Sequence, residues 1–420
     1  TLLVVMAITP YLALQIKAIS SSANVLLSDD TVAKIDLDLV ATLVLLIFTL
    51  FYGIRFSFDD GQRFGLIATI GVESIIKVVA AFVGGWIIVR TQLGGTSQVY
   101  ESAVNSGMTE LLTVRSTSDW MLMMLISGIA FFLLPRQFQM AVVSNRHEKD
   151  LRKALWIIPL FLLLMNWWVV PIALGGSLSL PKGSNADYHF LSLALQSGST
   201  FLPMLVFLGG LAACTSMIIV SSSALASMVS SNLILPLTLK RDGTPLFSLN
   251  PIITQRLALL IVFGLAYFYY TYVVQQESLV SIGMISFIGI AQLAPGFISA
   301  LYWREATSKG VLAGLLVGFV LWLSAFGVPQ WLGSRSDELF LFNVFPQWSA
   351  LANITFISLT LNSLVMVGIS LLDKADTLER NQAEFFFNVL SISTSTYNQS
   401  PVVSGKITFE RLENMLLRFM

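Results

Sequence analysis

The chain has 420 residues, 55% of them hydrophobic and only 11% charged, whereas soluble domains carry roughly a quarter charged residues, so a set of soluble domains is excluded. Its 24 basic and 24 acidic residues cancel, which gives no reason to expect a polyanionic partner such as nucleic acid. The lone cysteine, Cys214, cannot form an internal disulfide, and His147 and His189 have no ligand spacing around them, so neither a metal site nor a cofactor is expected.

The apolar runs predict ten membrane spans, each helical because lipid offers no partner to bare backbone groups. The first, Thr1–Ile19, opens mid-run without a charged region before it, which reads as a fragment preceded by further helices rather than as a signal peptide. Within it, TPYLALQIKAIS places Pro10 where it can loosen the helix, Gln15 where it can line a pathway, and Lys17 where it can snorkel to the interface. Leu37–Ile54 follows.

The third span, Phe64–Val89, contains GVESIIKVV. Glu73 and Lys77 lie four residues apart on one helical face, with the acid first, the better order. Each charge costs about 2.5–3.5 kcal/mol near the bilayer centre. Two readings follow: the charges line, gate or carry protons along a pathway, or they are a structural pair that locks this helix to a neighbour.

Trp120–Leu134 and Ala154–Leu174 come next, the second with Pro171 near its end. Phe201–Ala226 holds the small-residue stretch GGLAACTSMIIVSSSALASMVSS. Small residues favour tight helix packing, while Thr215, Ser216, Ser221, Ser222 and Ser223 offer hydroxyl oxygens to a hard cation. After Leu257–Val274, the span Leu279–Tyr302 carries Gly289, Pro295 and Gly296, a pattern of broken or kinked helices, with Gln292 as a polar pathway candidate beside it. Val311–Val328 and Leu351–Leu372 complete the set.

Lys and Arg are unevenly shared between the two sets of loops. One set holds Arg55, Arg63, Arg136, Arg146, Lys149, Arg152, Lys153, Lys240, Arg241, Arg256, Arg304 and Lys309; the other holds Lys34, Arg90, Arg115, Lys182 and Arg335. The first set is therefore expected in the cytoplasm, with the first helix running outward and the tail after Asp373 inside. Residues 1–373 form the transmembrane domain, and 374–420 read as the start of a cytoplasmic helical module interrupted by SISTSTYNQSP.

Several stretches resemble the solute:sodium symporter family, and most closely the transporter-like module at the N-terminus of certain bacterial sensor histidine kinases. They are PYLALQIKAISS, FYGIRFSFDDGQRFGLIATIGVESIIKVVA, LPRQFQMAVVSNRHEKDLRKALWIIPLFLLLMN and SFIGIAQLAPGFISALYWREATSKGVLAGLLVGF. The resemblance implies an all-α polytopic fold, the five-plus-five inverted repeat of LeuT-like transporters, in a bacterial inner membrane. It implies transport or sensing of a small solute, an amino acid by preference, coupled to Na+ or H+. It places the family's sodium-binding Ser-Thr pair on Ala212 and Ala213, and a three-residue shift would bring in Thr215 and Ser216. Its Asp-x-x-Gln is loosely matched by Asp59 and Gln62, without the Trp-Thr that usually precedes it. In the tail, LERNQAEFFFNVL and ITFERLENMLLRF resemble the connector that leads to a kinase, which would phosphorylate a response regulator; no catalytic domain is visible in these residues. The alternative is a stand-alone Na+- or H+-coupled transporter with no signalling role.

Overall fold

The computed structural model describes residues 1–27, 36–53, 60–108, 116–143, 145, 148–237, 250–273, 277–327, 344–373 and 375–385. Regular structure among them is helical throughout. In chain order the helices are α1 (Leu2–Leu26), α2 (Leu37–Phe48), α3 (Asp60–Thr91), α4 (Thr96–Asn105), α5 (Thr117–Leu133) and α6 (Pro135–Phe138). Then come α7 (Glu148–Asn166), α8 (Val169–Ser179), α9 (His189–Gln196), α10 (Phe201–Val229), α11 (Pro251–Val273), α12 (Leu279–Ala291), α13 (Ala294–Tyr302), α14 (Ser308–Trp322) and α15 (Ala350–Leu372).

Among the described residues, eight helical stretches are long and apolar enough to cross a bilayer, and α5 with α6 makes a ninth when its 49° bend is counted as one span. The tenth expected span is a correction. Its apolar helix, Leu37–Phe51, is too short among the described residues, rising about 22 Å against the ~30 Å of a hydrocarbon core. Asp36 caps its start, accepting from Leu39 N at 3.1 Å. The broken α12 and α13 run as one span, Leu279–Tyr302.

The sequence places α1 at the centre. Val4, Ile8, Leu12 and Ile16 follow one another every fourth residue and all are buried, but so are Gln15 and Lys17 on other faces. The helix is enclosed by α12, α11 and α10. Pro10 leaves it continuous, and beside it Ser286 of α12 donates to Ala7 O at 2.6 Å.

Small residues set the two closest helix pairs. Between α3 and α10, Gly209 meets the Ala80 methyl with no room for a Cβ of its own. Between α14 and α15, Gly310, Gly314 and Gly318 recur every fourth residue and face Ser370, Met366 and Asn362; a Cβ on Gly314 would lie 2.5 Å from Asn362 O.

Two sets of contacts fix the helix ends. At one end Asn232 Nδ2 donates to Thr1 Oγ1 at 3.0 Å, and Ser230 and Thr254 share a hydroxyl bond of 2.7 Å. At the other, Lys17 Nζ donates to Glu277 O, and Leu279 N donates to Asp187 Oδ2 at 2.9 Å. Lys17 is therefore tied to a backbone carbonyl at 7% exposure instead of snorkelling to the interface. Of the tail, residues 377–385 are helical, and residues 374 and 386–420 lie outside the described residues.

Candidate functional site

Near the middle of the 32-residue α3, Glu73 and Lys77 are carried against α10 by the Ala80–Gly209 approach one turn away. The neighbouring Val72, Ile75, Ile76 and Val79 are exposed, as lipid-facing residues would be, so the charged face is the one turned inward. The expected pair has a different geometry from a simple i,i+4 bridge. Each charge reaches one of two consecutive hydroxyls on α10. Lys77 Nζ, on a residue only 8% exposed, donates to Ser216 Oγ. Glu73 Oε1 lies 3.4 Å from Thr215 Oγ1.

The Thr215 hydroxyl has a single proton to give, and Leu211 O at 2.9 Å is a nearer acceptor than Glu73. Glu73 Oε2 is buried without a partner. The carboxyl thus keeps spare acceptor capacity in a site that offers it little. Ala212 and Ala213, the sodium-site positions implied by the resemblance, contribute backbone carbonyls, which lie 3.1 and 3.3 Å from Ser216 Oγ.

Two residues that sequence reasoning did not select complete this neighbourhood. Tyr11, buried on α1, donates to Met217 Sδ at 3.2 Å. The Arg136 guanidinium of α6 lies 5.7 Å from the Tyr11 ring centroid, in cation–π range. Arg136 reads in the sequence as one more loop charge. The signal available was its place directly after Leu134–Pro135, where a proline turns the chain back onto the bundle. Cys214 is buried beside the same hydroxyls on α10.

From Lys77 a cavity of about 400 Å³ runs toward the end of the bundle that carries Asp187. Trp168, Met165, Gly209, Gly210 and Ala213 form its walls, and Asp187, Tyr188 and His189 its far end. Burial holds the Tyr188 phenol above its ordinary range, and the Asp187 carboxylate acts in the same direction.

The other sequence candidates are not gathered here. Gln292, fully buried at the α12–α13 break, donates from Nε2 to Ser358 Oγ at 2.9 Å. Asn362 Nδ2 donates to Gln292 O at 2.8 Å and to Oε1 at 3.2 Å. This second polar network borders a separate, mostly apolar cavity of about 550 Å³ between α6, α10, α13 and α14. Ser358 and Asn362 were missed; an asparagine within the last apolar run was the available signal. Ser222 donates back to Ile218 O at 2.5 Å in its own helix, and Ser221 and Gln15 are buried at 4% and 3% exposure. Asp59 and the side chain of Gln62 lie outside the described residues. Among the described residues, His, Cys, Asp and Glu form no group able to hold a metal ion.

No family model matches the chain. It is 24% identical over 324 residues to an uncharacterized symporter, YhjB, of Bacillus subtilis, the alignment covering 74% of this chain. The chain spans about three-fifths of that relative's length, 62%. Among solved structures it resembles a Na+-coupled sialic acid symporter in a substrate-bound outward-open state, with a TM-score of 0.58 and 14% identity over 88% of this chain and 75% of that one. At that identity the likeness establishes the fold alone: a multi-pass helical membrane protein with a LeuT-like architecture.

Proposed function

We propose that this chain is the membrane domain of a transporter that moves a small solute across the bilayer in exchange for the energy of an ion gradient. The carrying observation is the placement of Lys77 and Glu73 on α10 hydroxyls, mid-helix, with Lys77 at the floor of a cavity that reaches one end of the bundle. Ionisable groups inside spans mark pathways more readily than packing, because packing alone is served by apolar residues without the desolvation cost. The similarity to symporters supports the same reading. By the Lys and Arg distribution, the Asp187 end faces outward and the tail is cytoplasmic in a bacterial inner membrane.

Na+ and H+ are the two coupling ions to separate. The structural neighbour is described as Na+-coupled. Against Na+ at the Ala212–Ser216 stretch stands the Lys77 ammonium, already bound to Ser216, which would repel a second cation. Glu73, with an unpartnered oxygen, supports protons. An amino acid is the solute that the family resemblance suggests. Uptake of labelled amino acids into proteoliposomes under a Na+ gradient, an H+ gradient or neither separates these readings, and no uptake under any gradient refutes an amino acid as the solute.

A second reading, the input module of a sensor histidine kinase acting on a response regulator, is favoured by how the tail is attached. Ser308 donates to Glu379, tying helix 377–385 to the start of α14, and beside it Lys309 pairs with Asp373 at the end of α15 at 3.1 Å. A motion of α14 would reach the tail directly. Solute-dependent phosphate transfer by the complete protein tests it.

A further inference from the structure

The cavity that ends at Lys77 has an uneven chemistry. Its floor is an ammonium with three N–H donors, of which Ser216 takes one. Its walls are apolar: Met165, Ile172, Val206 and the ring of Trp168. The acid among its lining residues, Asp187, is at the opposite end and already accepts from Leu279 N. Glu73 faces α10 and is not among the lining residues. The lining is also short of acceptors, since the Trp168 Nε1 donor is buried with no partner.

We infer that this cavity is a binding site for a small organic anion, an apolar body with a carboxylate held by the Lys77 ammonium. A carboxylate supplies the acceptors that the walls lack and takes up the ammonium's remaining N–H donors in charge-assisted hydrogen bonds. The apolar body fills the space against Trp168 and Val206. About 400 Å³ falls within the ~300–1,000 Å³ of pockets that enclose small ligands. Lys77 discriminates a carboxylate from the corresponding amide, because the amide brings an acceptor without the charge.

The inference names the solute class for the transport reading and rests on it for its biological meaning, but binding is measured without any gradient. The full chain is reconstituted in nanodiscs, and saturable binding of labelled phenylacetate is followed, with phenylacetamide as competitor. Phenylacetate is expected to bind and phenylacetamide not to displace it. Lys77→Met should weaken binding about tenfold or more, and Lys77→Arg should retain it. Gly210→Leu leaves Lys77 untouched, and its Cβ meets nothing within 4 Å; from this cavity-lining position the larger side chain should block binding. No saturable binding, equal displacement by the amide, or unchanged binding in both Lys77→Met and Gly210→Leu overturns the inference. Binding without uptake refutes transport and leaves the site, while uptake of amino acids without phenylacetate binding does the reverse.

Discussion

Exchanging the residues at the α3–α10 crossing tests how the site is positioned. In Gly209→Ala the new methyl overlaps that of Ala80, so the helices must part or tilt. Overpacking of this kind costs about 1–3 kcal/mol. The clash is with the Ala80 methyl alone, because the next atom, Ala80 Cα, lies at 3.7 Å, an ordinary van der Waals distance. The double variant Ala80→Gly/Gly209→Ala therefore restores the contact from the other side. One helical glycine is gained and one lost, so the ~1 kcal/mol propensity difference cancels. Stability is read from reversible unfolding in mixed micelles. Gly209→Ala alone should be destabilised, and the double variant should return to within about 0.5 kcal/mol of the parent. Because Gly209→Ala also gains ~1 kcal/mol of helix propensity, a Gly209→Ala more stable than the parent by that full amount, showing no overpacking cost, refutes the argument that this crossing fixes Glu73 and Lys77 against α10.

Neutralising only Glu73 or only Lys77 should destabilise the chain more than Glu73→Gln/Lys77→Met together, by less than the ~3–5 kcal/mol of a fully buried pair because Glu73 is half-exposed; the same unfolding measurement decides it. Arg136→Gln should lose about 0.5–2 kcal/mol in a Tyr11 background, as much in Tyr11→Phe, which keeps the ring, and almost nothing in Tyr11→Leu, as a double-mutant cycle would show. Asn362→Leu should cost about 1–3 kcal/mol by stranding Gln292, and its stability equalling the parent's would mean that the network at the α12–α13 break is dispensable.

The spans were legible because a bilayer imposes a length on every apolar run, and the mid-span charges were legible because their desolvation makes them conspicuous. Their partners were not. Whether Lys77 meets Glu73 or Ser216 depends on the angle at which α10 crosses α3, which a single glycine and a single methyl decide. Lys17 shows the same limit: its distance from the end of its span suggested an aqueous head group, whereas the fold brings the carbonyl of Glu277, 260 positions away, to meet it. Gln292 was singled out for the break beside it, but its place in a satisfied network required Ser358 and Asn362, which local sequence could not connect to it.

The glycine ladder of α14 has a mechanical consequence. Backbone lies on backbone at Gly310 and Gly314 and the Asn362 side chain fills the next turn against Gly318, so sliding or rolling of these two helices past each other meets steric overlap. They travel as one stiff strut. Among the described residues, bending outside that strut has breaks available to it, such as the 49° bend at Leu134–Pro135 and the interruption at Gln292–Leu293.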